Sequence, residues 1–440
     1  MKEITLRDYR CFHEKQVSRL APLTLLVGDN STGKTSFLAI IRALWDCIYG
    51  HRIPNFKEAP FDIGTFEQIA YRQNGRAPQS STFEVKIHLD HGLDAEFEFG
   101  KQNTAPVPIK TCLGDNGVWL KEFHDGQRKS SIHVTTPKGS WETSQMTDSR
   151  GTVMSLLTSR RLLPTTIPEL FFPEYINKNS SLTPIEGSPY FSPSDSELIA
   201  NFRLLELFHD KERPFASAPV RSQPQRTYSP DGLISNPEGD NSPMILANLA
   251  FVGDKTWTNF KDKLEQFGSS AGIFDEIDVN RLGKSQGSPF EIQIRKYGSK
   301  RKGLKQNLID VGYGVSQVLP ILTELLLPES DRIALLQQPE VHLHPSAQAA
   351  LGSLLCKISG QGRQLIVETH SDHLLDRVRM DVRDGKTDLK PEDVSILFFE
   401  RNDLSVQIHS IRLDHLGNIF NAPVSYRKFF MEETRRSLWG

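Results

Sequence analysis

The segment that decides the fold reads Leu23-Thr-Leu-Leu-Val-Gly28-Asp-Asn-Ser-Thr-Gly33-Lys34-Thr35. It opens with an apolar run typical of a buried strand, and residues 37–45 carry apolar side chains at helical spacing. Between them lies G-x-x-x-x-G-K-[ST], whose backbone N–H groups can wrap phosphates at the start of a helix, with Lys34 on the phosphates and the Thr35 hydroxyl on Mg²⁺. The weaker alternative is a glycine-containing turn that matches this pattern by chance and binds no phosphate. The predicted phosphate contacts are Asn30, Ser31, Thr32, Gly33, Lys34, Thr35 and Ser36.

Composition excludes several classes of protein. The 440 residues suggest about three structural units at ~150 residues each. Lys and Arg number 52 against 54 Asp and Glu, so the net charge gives no global reason to coat nucleic acid or a membrane surface. A hydrophobic content of 38% indicates a soluble globular chain. Nucleic acid or any other polyanion would therefore have to bind a local basic patch.

Cysteine spacing and the N-terminus favour a cytoplasmic protein. The 4 cysteines lie far apart, with no C-x-x-C pair, which disfavours a disulfide framework or a structural zinc site. No apolar run reaches the ~18 residues that a membrane span needs. The first residues, MKEITLRDYRCF, are charged and strand-like, unlike a signal peptide. We expect a chain that starts at Met1, stays in the reducing cytoplasm and has no membrane partner.

The sequence divides into three parts. Alternating apolar residues predict a strand over residues 2–7 and a β-hairpin over 82–99, within an N-terminal part that spans 1–159. Prolines concentrate in the next part, which predicts an irregular insertion over 160–250 with one helix at 196–209. Regular structure is expected to resume near Trp257, within a C-terminal part that spans 251–440.

In the C-terminal part, polar motifs follow predicted strands. Buried strands are predicted over 332–336 and 364–368, with a half-buried strand over 290–295 and helices over 318–327 and 347–358. G-Y-G-V-S-Q precedes the first of these helices, whereas Q-Q-P-E-V-H-L-H-P and E-T-H-S each follow a buried strand. In an α/β sheet such strand ends meet at the edge where ligands bind. The predicted fold class is α/β, with a mixed sheet flanked by helices.

In this order the motifs resemble those of ABC-type ATPases of the class that includes the OLD, RecF and SMC proteins, over about residues 1–100 and 250–425. The resemblance implies an ATPase head that binds ATP and Mg²⁺, with two heads sandwiching two nucleotides. Gly314, Ser316 and Gln317 would contact the γ-phosphate held by the partner chain. His370 would sense that phosphate, and Gln68 would link the metal to the rest of the lobe, although an exposed loop glutamine is the commoner explanation.

One departure from that class changes the expected mechanism. Its members usually carry an acidic residue for Mg²⁺ and then a glutamate that activates water, where this sequence has Gln337 and Gln338. An amide cannot act as a general base, and losing a base costs ~10²–10⁴ in rate. We therefore expect firm ATP binding and slow hydrolysis, with Gln337 on the metal side, unless Glu340 supplies the base. Glu340 as a structural loop residue is an equal alternative. The candidate catalytic residues are Glu340, Gln338 and His370.

Three other features of the sequence can each be interpreted in two ways. The pairs that begin at His342 and His370 could bind a transition metal, but no cysteine or H-E-x-x-H pattern supports such a site. The basic run from Arg295 to Lys305 could meet DNA phosphates, or it could be a solvated hairpin tip. Arg221, in the tract A-P-V-R-S-Q-P-Q-R-T-Y, could reach a phosphate or only fix a proline-rich loop.

That tract, DVGYGVSQVLP, QQPEVHLHPSAQAALG and the D-x-x-G-N motif at 414–418 are similar to PtuA-like ATPase subunits of Septu and retron anti-phage defence systems. The resemblance implies a regulatory ATPase that forms a homodimer or higher oligomer through its heads. It would control a separate HNH-type nuclease, with a retron nucleoprotein as a further partner. No heptad tract for an SMC-like arm is visible, and no nuclease domain is expected in the chain. The alternative is a RecF-like clamp that grips DNA in repair, with an affinity that falls steeply with salt.

Overall fold

The computed structural model describes residues 1–49, 53–73, 78–115, 118–124, 129–136, 139–146, 183–184, 212–230, 238–253, 255–298, 301–327, 330 and 332–426. The helix predicted over residues 196–209 lies outside them. The described residues form a mixed α/β fold, in which sheets are flanked by helices as the sequence predicts.

The strands of the described residues are numbered along the chain. They are β1 (Glu3–Arg7), β2 (Gln16–Arg19), β3 (Leu23–Gly28), β4 (Thr82–His88), β5 (Asp94–Gln102), β6 (Ala105–Asp115), β7 (Val118–His124), β8 (Lys129–Thr136), β9 (Gly139–Met146), β10 (Thr183–Pro184), β11 (Phe215–Ser217), β12 (Glu276–Arg281), β13 (Phe290–Arg295), β14 (Gln306–Asn307), β15 (Ala334–Gln337), β16 (Leu365–Glu368), β17 (Val394–Asn402), β18 (Ser405–Leu413) and β19 (Ile419–Phe420).

The helices are numbered in the same way. They are α1 (Lys34–Ile48), α2 (Phe66–Ile69), α3 (Ser242–Val252), α4 (Lys255–Ala271), α5 (Tyr313–Leu326), α6 (Pro345–Gly360) and α7 (Asp372–Arg383). No helix in the described ranges is both long enough and apolar enough to span a membrane.

The central sheet carries the strand that precedes the glycine-rich loop. Its strand order is β11-β15-β16-β3-β17-β18-β19, with parallel pairing from β11 to β17 and antiparallel pairing beyond. The register aligns Gln337 with Glu368, and Glu368 with Leu26. The carboxyl ends of β15, β16 and β3 therefore lie side by side, and the polar motifs that follow them share one edge of the sheet.

Helices cover both faces of this sheet, which explains why all of β3 is buried. Leu25 lies in a core that includes residues of α4, α5 and α6. Leu26, the next residue, lies in a second core with residues of α1. Alternate residues of β3 thus pack into two different hydrophobic cores, and the loop that follows β3 is anchored between them.

The second large sheet is antiparallel, with the order β10-β9-β8-β7-β6-β5-β4-β1-β2. The predicted hairpin is confirmed, because β4 pairs with β5 from Thr82↔Gly100 to His88↔Asp94. A short 3₁₀ turn over Asp90–Gly92 joins the two strands. A smaller sheet, in the order β12-β13-β14, precedes α5.

The structure differs from three sequence expectations. Helix α5 begins at Tyr313 instead of residue 318, because its first turn holds polar residues that face protein and not the apolar residues that helical spacing detects. Regular structure resumes at α3 before Trp257, since α3 is apolar on nearly every side and has no amphipathic stripe. The region predicted as an irregular insertion also supplies β11, which pairs with β15. The proposed domain boundaries themselves stay a prediction.

Candidate nucleotide-binding site

The glycine-rich loop has the backbone conformation of a phosphate cradle. Gly28 and Gly33 have φ angles of 138° and 90°, and Ser31 has a φ of 60°. A side chain at Gly28 would place its Cβ 2.5 Å from the carbonyl oxygen of Phe399, so only glycine fits there. Gly33 caps α1 without a side-chain hydrogen bond, which leaves the amides of the first turn free to face an anion. Asn30 and Ser31 are exposed and border this opening.

The remaining loop residues fix its shape. The Thr32 hydroxyl donates to the carbonyl of Asp29 at 2.8 Å. Ser36 is buried, and its backbone carbonyl accepts from the Tyr9 hydroxyl at 2.8 Å. The first contact is within the loop, and the second joins the start of α1 to the segment that follows β1. They indicate that the first half of the loop faces outward and the second half anchors it.

Lys34 lies over the inside of the loop. Its Nζ donates to the carbonyls of Gly28 at 2.9 Å and Asp29 at 2.6 Å. Burial lowers the pKa of Lys34, while the neighbouring Glu368 and Asp29 carboxylates act in the opposite direction. A buried ammonium at the base of a cradle of N–H groups is a binding group for a phosphate oxygen.

A carboxylate lies beside the predicted metal-binding hydroxyl. The Thr35 Oγ1 donates to the Glu368 Oε2 at 3.0 Å, and Glu368 is 5% exposed. Burial raises the pKa of Glu368, and Lys34, Thr35 and Gln338 act to lower it. Glu368 ends β16, next to β3, so the sheet itself delivers the carboxylate to the loop. Glu368 lies in the sequence motif E-T-H-S, and its position at the end of a buried strand is the sequence feature that could indicate a metal ligand.

The two glutamines that follow β15 have different surroundings. Gln338 contacts Glu368 twice, since its backbone N–H donates to the Glu368 carbonyl at 2.8 Å and its side chain bonds the carboxylate. Gln338 also has a φ of 41°, in the left-handed region. Gln337 is 4% exposed, and its backbone N–H donates to the Ser217 hydroxyl at 3.3 Å. Its Nε2 atom has no hydrogen-bond partner among the described residues.

Glu340 joins the loop after β15 to the loop after β16. It is 5% exposed, and its Oε1 accepts from the backbone N–H of His370 at 2.8 Å. Burial raises the pKa of Glu340, while hydrogen bonds from His370 and Thr369 and the charge of Arg221 act to lower it. Its Oε2 has no hydrogen-bond partner within the described part of the chain. One oxygen therefore has a structural role, and the other is available to a further group.

His370 lies on the open side of the site. Loss of hydration around the ring, together with the positive charge of Lys34, lowers the pKa of His370, and Asp29 acts in the opposite direction. The ring is therefore neutral at physiological pH and can accept as well as donate a hydrogen bond. The next residue, Ser371, donates to Gln348 of α6 at 2.6 Å, which fixes this segment to the helix.

The first turn of α5 packs on the loop that carries Glu340. A Cβ on Gly314 would lie 2.5 Å from the carbonyl oxygen of His342, so this glycine permits the close approach. Ser316 is 5% exposed, and its hydroxyl donates to the carbonyl of Tyr313 at 2.8 Å. Gln317 is completely buried and contacts the backbone of Arg221 and Ser222. Gln317 is therefore enclosed by the protein in this structure, and its expected contact with a partner's phosphate stays a prediction.

Gln68 caps the short helix α2, and its expected link to the metal stays a prediction. Its side-chain oxygen accepts from the backbone N–H of Thr65 at 2.8 Å and caps α2. Its backbone carbonyl accepts from the Arg10 guanidinium at 2.8 Å, and Arg10 also reaches the Ser36 hydroxyl at 3.3 Å. Gln68 therefore connects to the phosphate loop through Arg10. Arg10, and Arg401 with its bond to the carbonyl of Ser31, are basic contacts that the sequence motifs did not indicate.

The histidine pairs and the basic run favour their structural interpretations. In the described residues no group of three or more His, Cys, Asp or Glu side chains could hold a metal ion, and the His344 side chain caps α6. Within the basic run, Arg295 pairs with Glu276 at 3.0 Å, and Lys305 pairs with Asp278 at 2.7 Å. The acidic side chains of β12 therefore neutralise much of this run.

The donor set fits a nucleoside triphosphate with a hard divalent cation. The free amides of α1 and the Lys34 ammonium suit phosphate oxygens, whereas the Thr35 hydroxyl and the Glu368 carboxylate supply the oxygen ligands that Mg²⁺ prefers. Gln338 can add an amide oxygen next to Glu368. When bound, the cation would neutralise phosphate charge.

The fold and the site are those of an α/β domain with a phosphate-binding loop, in which that loop follows β3 and the loops after β15 and β16 complete the site. Residues 173–376 match the family described as "AAA domain, putative AbiEii toxin, Type IV TA system". That range contains α5, β15 and β16, and the phosphate loop lies outside it. No curated protein matches the chain.

Among solved structures, the chain is similar to SMC head domains. The Smc head with a coiled coil and joint from Pyrococcus yayanosii is 10% identical, with a TM-score of 0.44 and coverage of 99% of both chains. The Smc head bound to the C-terminal domain of ScpA, from Pyrococcus furiosus, is 11% identical, with a TM-score of 0.42 and coverage of 99% of both chains. The SMC head from Thermotoga maritima is 12% identical, with a TM-score of 0.37, covering 93% of this chain and 98% of that one.

Proposed function

We propose that this protein is a regulatory ATPase that binds ATP with Mg²⁺, dimerises head to head on the nucleotide and hydrolyses it slowly. Two copies, or a higher oligomer built from such dimers, would control a separate effector nuclease in anti-phage defence. ATP occupancy would then be the signal that the assembly reads.

The contact between Thr35 and Glu368 carries the ATPase part of this proposal. It places a buried carboxylate 3.0 Å from the hydroxyl of the phosphate loop, on the side where the cation would bind. Lys34 lies close enough to act on the pKa of the same carboxylate. The groups that would bind the cation and the phosphate therefore lie next to each other. Gln337 and Gln338 stand where an acidic pair is usual.

Slow hydrolysis follows from the chemistry of the groups around the site. Gln338 is neutral and holds Glu368, so it can position a carboxylate or a water molecule but cannot accept a proton. Glu340 is a buried acidic residue beside the site, whose Oε1 accepts from the backbone N–H of His370 and whose Oε2 has no hydrogen-bond partner among the described residues. A base that must also hold a loop has less freedom to reach the attacking water. We therefore assign the base to Glu340 and expect it to be a weak one.

The defence role rests on two supports of different kinds. The description of the matching family names an abortive-infection toxin and a toxin–antitoxin system. The proline-rich tract and the motifs around α5, β15 and α6 are similar to PtuA-like subunits, which work with an HNH-type nuclease and, in some retrons, with a nucleoprotein. The DNA-clamp alternative has no comparable support, because Glu276 and Asp278 pair with the basic run.

The oligomeric state tests this proposal directly. Purified chain is analysed by size exclusion with light scattering, without nucleotide, with ADP and with ATP, each with Mg²⁺. A mass that doubles with ATP and remains single with ADP supports nucleotide-driven pairing of heads. A mass that does not change, despite ATP binding in a separate titration, would contradict it.

A further inference from the structure

A cavity of about 570 Å³ is lined by α4, α6 and the last turn of α5, and is here called the α4–α6 cavity. Its lining also includes Ser330, which precedes β15, and Arg363, which precedes β16. The nucleotide-binding loops follow the opposite, carboxyl ends of these two parallel strands. The cavity therefore lies at the other edge of the central sheet from the glycine-rich loop.

The walls of the α4–α6 cavity are apolar, and its shape is long and narrow. Phe267 comes from α4, whereas Leu325 and Leu326 come from α5. Along α6 the lining runs from Ala350 to Gln361, which is about 16 Å at a rise of about 1.5 Å per residue. The volume spread over that length gives a mean cross-section of about 35 Å², whereas an α-helix with its side chains is about 10–12 Å across. The cavity therefore fits an extended chain and not a whole helix.

Two exposed lysines that line the cavity have no counter-ion. Lys263 lies on α4 and Lys357 on α6, and neither makes a hydrogen bond or an ion pair within the part of the chain that the structure describes. The sequence explains this, because no acidic residue lies three or four positions from either lysine on its own helix. Lys357 is in the last turn of α6, where a cation also balances the helix dipole. Lys263 is in the middle of α4 and has no such explanation.

A third positive charge lies at the same cavity. Arg363 is 5% exposed, and its Nη2 donates to the Glu324 Oε1 at 2.8 Å. Arg332 also pairs with Glu324, so two guanidinium groups share one buried carboxylate, while Glu212, 3.9 Å from Arg332, is 66% exposed. The Ser330 hydroxyl is buried without a hydrogen-bond partner in the described ranges. Since no described residue of the lining is acidic, positive charge exceeds negative charge around the cavity.

We propose that the α4–α6 cavity binds an elongated apolar anion of the class of straight-chain carboxylates. The apolar walls would bury the chain, and Lys263 and Lys357 would attract the carboxylate. A cavity of this volume with apolar walls and a few polar groups is typical of small-molecule sites. This binding goes beyond the proposed function and does not rest on it, because no part of the phosphate loop lines the cavity.

Calorimetric titration of decanoate into the full, nucleotide-free chain tests this site. Decyltrimethylammonium, which has the same chain length and the opposite charge, is the comparison ligand. We expect one decanoate to bind per chain, with an affinity at least about tenfold higher than that of the cation. Lys263→Gln combined with Lys357→Gln should weaken decanoate binding by about fivefold or more, because two partly exposed charge contacts are lost. Ser353→Trp, which adds an indole to the α6 wall, should weaken it at least as much.

Two further variants are controls. Lys255 is an exposed lysine of α4 that does not line the cavity, so Lys255→Gln should bind decanoate within about twofold of wild type. Glu329 and Asp331 flank Ser330 in the sequence and lie outside the described residues. The variant with both Glu329→Gln and Asp331→Asn should therefore bind decanoate at least as tightly as wild type, and weaker binding would contradict an anion site.

Three results would overturn the proposal: no binding of decanoate, equal affinities for decanoate and the cation, or an unchanged affinity in the double lysine variant. If Ser353→Trp does not fold, the lysine variants still decide, because both side chains are exposed. Their ATP affinity should equal that of wild type, since the nucleotide loops lie at the other edge of the sheet. Absence of ATP binding by wild type would refute the proposed function and leave the decanoate result unchanged.

Discussion

At the residue scale, the carboxylate of Glu368 is the metal-binding group that the proposed function requires. It comes from β16, the neighbour of the strand that leads into the phosphate loop, and it accepts a hydrogen bond from Thr35. Metal binding in this chain would therefore use the strand next to the one that usually supplies it. Gln337, which stands at the usual position, is buried against Ser217.

Glu368→Gln should weaken Mg²⁺-dependent ATP binding by about tenfold or more, because it removes a charged ligand for the cation. Calorimetric titration of ATP with and without Mg²⁺ measures this loss. Glu400→Gln is the matched control, since Glu400 lies on the same sheet and pairs with His409. Equal affinities for Glu368→Gln and wild type would remove Glu368 from the metal site.

The affinity for ATP with Mg²⁺ should fall on acidification at a higher pH than an exposed glutamate would give. Burial raises the pKa of Glu368, so its protonated form, which binds cations poorly, is populated earlier as pH falls. Titrations at about pH 8, 7 and 6 test this dependence. The Glu368→Gln chain should show a flatter profile over that range, and parallel profiles would contradict the assignment.

Much of the residue-level site can be predicted from sequence, and the limits have physical causes. The phosphate loop is a local motif, so Gly33, Lys34 and Thr35 are found by spacing alone. The position of Glu368 beside the phosphate loop depends on which strands are neighbours in the sheet. The burial of Gln317 depends on contacts with Arg221 and Ser222, about 95 residues earlier in the chain. Such contacts between distant segments leave no local periodicity to detect.

At the element scale, α5 and the loop after β15 form one packed unit. Because Gly314 has no side chain, the helix can pack against the His342 carbonyl. The Gln317 side chain donates to the backbone carbonyl of Arg221 and so connects the helix to that segment. Helical spacing of apolar residues located the body of α5 but not its first turn, because that turn is packed through polar contacts. The start of a helix is therefore predicted less well than its core face.

Gly314→Ala should lower the thermal midpoint by ~2–5 °C, because its Cβ would lie 2.5 Å from the His342 carbonyl oxygen and overpack the contact. Gly312→Ala is a control two residues away, where a Cβ would meet no heavy atom within 4 Å. It should leave the midpoint within about 1 °C of wild type. Equal effects of the two substitutions would show that the close approach of α5 does not matter to stability.

Gly312→Glu tests whether the start of α5 meets a nucleotide on another chain. The site is exposed and tolerates a side chain, so the folded monomer and its ATP affinity should be unchanged. A negative charge at a helix start that faces a γ-phosphate should prevent ATP-dependent dimerisation. Light scattering measures the mass, and dimers that form as in wild type would exclude this face of α5 from the interface.

At the scale of the whole molecule, one sheet edge collects the groups that would bind, sense and use a nucleotide. The loops after β3, β15 and β16 lie together because their strands are parallel neighbours. The mixed α/β class could be predicted because apolar strands and amphipathic helices alternate in the sequence. The place of β11 in the central sheet could not, since three residues between prolines carry too little pattern to read.

Binding to duplex DNA should be weak and should not carry the steep salt dependence of a clamp. Within the described part of that run, Arg295, Lys302 and Lys305 each pair with an acidic side chain of β12, which reduces the positive charge available to release counter-ions from phosphates. Fluorescence anisotropy with a labelled duplex at rising salt checks this, with and without ATP. Tight binding with a steep slope would favour the repair-clamp alternative.

ATP turnover under single-turnover conditions, beside a direct binding titration and with Gln338→Glu as comparator, is the most direct test of a nucleotide sensor that hydrolyses slowly. We predict tight ATP binding with little hydrolysis by wild type, and a rate that rises about tenfold or more when Gln338→Glu supplies a carboxylate. Rapid hydrolysis by wild type, with no gain in the variant, would contradict this account and indicate an ATP-driven machine.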